Sequence, residues 1–151
     1  MMKTAKDIMT KNPVTVLPET EIVRAAEILL EKGINGLPVV DEEGKLVGII
    51  CQSDLIVQQK KMPIPSVFTM LDWIIPLSSM KQIEKEARKI TAITVAEAMT
   101  RHPVAVDPST AIETIAELMV DKKFHTLPVV EGGKLVGIIG KEDILRTLMQ
   151  P

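Results

Sequence analysis

The 151-residue chain has one cysteine, one tryptophan, two phenylalanines and no tyrosine. A lone cysteine forms no internal disulfide, which fits a reducing compartment. Aromatics make up 2% of the chain against 46% apolar residues, so the core must be aliphatic. Charge of one sign is also missing: 18 Lys and Arg face 20 Asp and Glu, a net of −2. That balance gives no general attraction to phosphate backbones or anionic membranes. No apolar run reaches the 18–20 residues that span a bilayer. The opening MMKTAKDIMT lacks the apolar stretch of a secretory signal. No basic patch interleaved with aromatics is present. The expectation is a soluble, cytoplasmic protein with neither a membrane nor a nucleic-acid partner. Catalytic signatures are missing too: there is no P-loop, no G-x-G-x-x-G and no metal-ligand cluster. Cys51, His102 and His125 are the only pieces for a nucleophile and base, and no motif spacing aims them at one another. No catalytic residue, metal site or required cofactor is expected.

What the chain has is a repeat. Residues 36–55 read GLPVVDEEGKLVGIICQSDL, and residues 126–144 read TLPVVEGGKLVGIIGKEDI, one residue shorter in the turn. Ninety positions separate Met9, Thr10, Pro13 and Val14 from Met99, Thr100, Pro103 and Val104. The same offset relates Pro18, Thr20, Ile22 and Ala26 to Pro108, Thr110, Ile112 and Ala116. Such a duplication fixes architecture before local propensity does.

Each copy reads β-α-β-β-α. Thr4 with Asp7, and Thr94 with Glu97, have the spacing of a capping box, which predicts a short helical turn at each start. A short extended piece follows (13–16 and 103–106). Thr20 and Thr110 are then read as helix caps, with Glu113 completing a box. The predicted inward stripes are Ile22, Ala26, Leu29 and Leu30 in one copy, and Ile112, Ile115, Ala116, Met119 and Val120 in the other. Gly33 suits a left-handed helix stop; Lys123 stands at that position in the second copy. Residues 37–40 and 45–50 read as strands around a turn, and a helix begins near Asp54. One copy is placed at 1–56 and the other at 94–151. Between them, 57–93 has no counterpart and reads as two helices split near Pro76, carrying Phe68 and Trp73 and a capping box at Ser79.

Each copy resembles a cystathionine-β-synthase (CBS) domain, and the pair resembles a Bateman module. The resemblance rests on Met-Thr…Pro…Val, the capped helix, the Leu-Pro-Val-Val and Leu-Val-Gly-Ile-Ile strands, and the closing Asp54 and Asp143. It implies an α/β (α+β) fold of two β-α-β-β-α repeats packed as a pseudo-twofold pair, with an insert between. It also implies two related clefts that hold AMP, ADP, ATP or S-adenosylmethionine, and a disc-shaped homodimer. In the family's crossed geometry the Asp of one copy holds the ribose and the other copy supplies the base pocket and phosphate contacts. The preferred cleft then combines Asp54 and Cys51 with Thr100, Arg101, Ala105, Phe124, His125, Thr126 and Pro128. The second combines Asp143 and Gly140 with Thr10, Lys11, Thr15, Ile34, Asn35, Gly36 and Pro38. The first is preferred because it alone has His and Arg together. Cys51 and Gly140 depart from the family's usual hydroxyl residue, which implies a looser grip on phosphate.

The residues read by themselves agree in part. An ionised Asp accepts two hydrogen bonds, which suits a ribose diol. In a helix's first turn it equally serves as a helix-stabilising charge. Two functions therefore stand: a regulatory adenosine-nucleotide module acting through a homodimer or an unknown regulated protein, and a ligand-free interaction or assembly module.

Overall fold

The computed structural model describes residues 3–61 and 93–149. The readings placed on Pro76, Ser79, Phe68 and Trp73 lie outside the described residues. From the first copy come α1 (Ala5–Ile8), β1 (Thr10–Lys11), α2 (Ile22–Lys32), β2 (Gly36–Val40), β3 (Leu46–Cys51) and α3 (Gln52–Lys61). The second contributes α4 (Val95–Ala98), β4 (Thr100–Arg101), α5 (Ile112–Asp121), β5 (Thr126–Glu131), β6 (Lys134–Gly140) and α6 (Lys141–Thr147). Helix α3 thus runs on past residue 56.

The two sheets are not divided along the copies. One has the order β2-β3-β4, and the other β1-β6-β5. Each hairpin therefore borrows its third strand: Thr100 pairs with Ile49, and Thr10 with Ile138. The helical turns cross over as well. Ala5 and Lys6 donate their free helix-start N–H groups to the carbonyls of Thr110 and Pro108, at 2.8 and 3.0 Å. Reciprocally, Val95 and Ala96 donate to Thr20 and Pro18 at 2.7 and 2.9 Å. Apolar packing follows the same exchange. Val95 is buried among Ala25, Leu29, Leu37 and Ile50 of the first copy, and Ala5 among Ile115, Leu127 and Ile139 of the second. Burying a valine side chain fully is worth about 1.5–3 kcal/mol, enough to anchor a four-residue helix that could not hold itself.

Local chemistry explains the hairpins. In β2 the Pro38 carbonyl accepts from Val16 at 3.1 Å, and Val40 N–H donates back to Val16 at 3.0 Å. The nitrogen of Pro38 therefore faces Val16 and not β3, so its missing N–H costs the ladder nothing. Pro128 repeats this with Val106. The shorter second turn is Gly132-Gly133, both with positive φ (59° and 83°), as a two-residue hairpin of right-handed twist requires.

Two expectations need correction. Helices α2 and α5 begin one residue later than read, with Glu21 and Ala111 at the N-cap. The Thr20 and Thr110 hydroxyls instead accept from the N–H groups of Leu17 and Asp107, closing the preceding turn. The inward stripe of α2 is Ile22, Ala25, Ile28 and Leu29, while Leu30 is 81% exposed. Its counterpart Val120 is 75% exposed. Both sit one position past the stripe, where 100° per residue carries them to the outer face.

Candidate functional site

The turn from β3 into α3 is held by Asp54, whose Oδ2 accepts the Cys51 N–H at 2.8 Å. The Gln52 N–H, also free at the helix start, donates to the Asn35 carbonyl at 3.1 Å. The second copy matches it: Asp143 Oδ2 accepts from Gly140 at 2.8 Å, and Lys141 donates to His125 at 3.2 Å. Each acid thus sits at the mouth of a helix start, tied to the end of its own strand, while the backbone of that helix start is tied to the loop that leads into the neighbouring strand.

Two clefts open there, each shared between the copies. One, of about 570 Å³, brings Asp54 and Cys51 together with Thr100, Phe124, His125 and Thr126. The other, of about 470 Å³, brings Asp143 and Gly140 together with Thr10, Ile34, Asn35 and Gly36. Both volumes lie in the ordinary range for small-molecule sites, roughly 300–1,000 Å³. Asn35 and Thr126 line both clefts and form their common wall.

Six of the eighteen expected site residues do not line either cleft, for reasons of alternation and burial. Thr10 and Thr100 face the clefts, so the next residues, Lys11 and Arg101, point the other way. The Arg101 guanidinium instead donates to the Ala96 carbonyl at 3.4 Å. Val16 and Val106 are core residues, and the exposed Val14 and Val104 line the clefts in place of Thr15 and Ala105. The rings of Pro38 and Pro128 are fully buried. The pairing of His125 with Arg101, which favoured the first cleft, is therefore not what distinguishes it.

Charge distinguishes it instead. Lys122 and Lys123 at the end of α5 line the Asp54 cleft, along with His102, and among the described residues Asp54 is its one carboxylate. The Asp143 cleft has Lys32 and Arg146 against Glu142 and Asp143, so its formal charges cancel. The acids themselves also differ. Arg146 donates to Asp143 Oδ1 at 3.0 Å, which commits both carboxylate oxygens. At the matching position the first copy has Val57, and among the described residues Asp54 Oδ1 has no protein partner. The doubled lysine at the end of a helix was the signal available in the sequence.

Burial, with Asp54 nearby, pushes the Cys51 thiol up to about 11. It stays protonated at neutral pH and is no nucleophile. Among the described residues no group of His, Cys, Asp and Glu could hold a metal ion, and no helix is long and apolar enough to cross a membrane.

Two α/β repeats that exchange their first strands and share two clefts define a paired-repeat module. Residues 5–60 and 95–150 each match the CBS domain, and the chain belongs to that family. The chloroplastic CBS domain-containing protein CBSX2 of Arabidopsis thaliana is 33% identical over 156 residues, covering 97% of this chain. The chain spans 64% of that relative's length. The crystal structure of CBSX2 in complex with AMP superposes with a TM-score of 0.74 at 32% identity, covering 98% of this chain and 97% of that one. The CBS domain pair of protein MJ0100, solved with 5′-methylthioadenosine and S-adenosyl-L-methionine, gives 0.71 at 30% identity, covering 99% and 98%.

Proposed function

We propose that the chain is a regulatory module that binds a 5′-phosphorylated adenosine ligand (AMP, ADP or ATP) in the Asp54 cleft. The observation that carries this reading is the cleft's uneven charge: among the described residues two lysines stand around one carboxylate, whose Oδ1 has no partner among them. The complexes of CBSX2 with AMP and of the MJ0100 pair with adenosyl ligands support the ligand class. No reaction is assigned to the module. Its role is to change the behaviour of a partner or of a second copy when the cleft fills. We assign homodimer contact to outward apolar side chains such as Leu30, Val120 and Leu148.

A second reading has one observation in its favour. Asp54 and Asp143 both bond the backbone at the helix start, so both have a structural task without any ligand. On that reading the chain is a ligand-free assembly module. Isothermal titration of the full chain with AMP, ADP, ATP, adenosine and S-adenosylmethionine separates the two. Saturable binding of at least one phosphorylated adenosine supports the proposal. No heat and no shift in melting temperature with any of them overturns it.

A further inference from the structure

Among the described residues three non-glycines adopt left-handed backbone: Asn12, His102 and Lys123. Two of them, His102 and Lys123, line the Asp54 cleft. Lys123 is the informative one, because its counterpart in the other copy is Gly33, with nearly the same φ (58° against 61°). At Gly33 no atom lies within 4 Å of where a Cβ would stand, so no crowding there demands glycine. The conformation does favour it, since an L side chain in this region crowds its own backbone. The second copy thus keeps a strained lysine where the fold's preferred residue is glycine, and of the two clefts it stands on the wall of the one whose described lining has surplus positive charge. Local strain held at a cleft wall is the pattern of a residue retained for contact with a ligand.

We infer that Lys123 is the specificity-determining residue of the Asp54 cleft, selecting adenosine ligands that carry a 5′-phosphate over those that do not. The inference rests on the nucleotide-binding reading above and names the residue that sets its ligand class. Lys122, the counterpart of Lys32, does not distinguish the clefts, because each has a lysine at that position. Lys123 against Gly33 does. The Asp143 cleft, lacking this charge and carrying Glu142, is left to adenosyl ligands without phosphate.

The test is Lys123→Gly and Lys123→Arg in the full chain, with AMP and adenosine titrated in parallel at low salt. Glycine suits the backbone, so the melting temperature should hold or rise by about 2 °C. Meanwhile AMP affinity should fall about 10-fold, as expected for one lost charged contact. Adenosine affinity should stay within about 2-fold, and Lys123→Arg should keep the AMP preference. The AMP difference should shrink as salt is raised. An unchanged ratio of AMP to adenosine affinity in Lys123→Gly overturns the inference while leaving the nucleotide reading intact. Wild type that binds neither ligand overturns the nucleotide reading, and this inference falls with it. A purely structural lysine would move both affinities together or the stability alone, and either outcome also removes Lys123 from the role.

Discussion

The exchange of first strands between the copies can be tested without any ligand. Gly137 lies in β6 opposite Lys11 of the borrowed β1, and Met9 packs across it. A Cβ added at Gly137 would stand 2.5 Å from the Met9 Sδ, 2.8 Å from its Cγ and 3.1 Å from its Cβ. Carbon contacts are comfortable at about 3.5–4.0 Å. Rotating the thioether away relieves the first two contacts but not the third, so the backbone of β1 must shift. Overpacking of this kind costs about 1–3 kcal/mol. For a chain of this size that lowers the melting temperature by about 2–12 °C. The decisive measurement is a double-mutant cycle in urea. Met9→Ala alone loses packing, but it also removes the Sδ and Cγ atoms that Gly137→Ala would strike. The double variant should therefore be more stable than the sum of the singles predicts, by at least about 1 kcal/mol. Gly48→Ala with Met99→Ala should behave alike, since a Cβ there would stand 2.5 Å from the Met99 Sδ and 3.0 Å from the Thr100 carbonyl. Additive costs for both pairs would mean that the first strands do not lie across the opposite copy's hairpin.

Asp54→Asn keeps an acceptor for the Cys51 N–H but removes the charge facing the cleft, so the fold should survive while AMP affinity drops about 10–150-fold. Asp143→Asn should leave the tight AMP site nearly unchanged, because Arg146 already occupies that carboxylate; equal losses measured by calorimetry would refute the ranking of the clefts. The Cys51 thiol, raised by burial to about 11, holds its proton in the fold after the unfolded chain has released it. Stability should therefore decline from about pH 9 to pH 11, by roughly 1–2 kcal/mol after allowing for partial solvent screening of a half-buried thiol, and Cys51→Ser should lack that component. Parallel melting curves for the two proteins across that range would remove it. A fragment ending at Gln58 loses Val95 from its core and β4 from its sheet edge, so it should unfold non-cooperatively or self-associate. A monomeric fragment with a sharp melting transition would contradict this.

Much of the fold was legible because the duplication reports itself. Residues matched at an offset of ninety, one fewer past the shorter turn, gave the hairpins, the helices and the opening turns in nearly their observed places. What was not legible depends on direction within an element. Thr20 and Thr110 look like helix caps in one dimension, but their hydroxyls bond backwards to Leu17 and Asp107. Leu30 and Val120 are as apolar as their neighbours, and only the helix's rotation sends them outward. The same applies at the clefts, where alternation chose Thr10 and Thr100 over Lys11 and Arg101. The strand exchange left no mark in the local sequence, since Ala5 and Val95 suit either copy's core. The crossed clefts were expected from the family resemblance and not from the residues themselves.

Strand exchange also explains how two such similar halves carry unlike clefts. If each copy closed its own site, a change in one hairpin would alter one site alone. Here each cleft takes its acid and helix start from one copy and its opposing loop from the other. Asp54 therefore faces Lys123 and His125, while Asp143 faces Gly33 and Asn35. One substitution in a single loop, Lys123 for Gly33, thus changes the charge of one cleft without touching the acid it confronts, and His125 for Asn35 changes its hydrogen-bonding groups. The acids differ independently, through Val57 and Arg146 at the position three residues on. Both differences act in the same direction: one leaves Asp54 Oδ1 without a partner among the described residues, and the other adds a cation opposite it. Both clefts also share Asn35 and Thr126, across a boundary where a Cβ on Gly36 would stand 3.4 Å from the Thr126 hydroxyl.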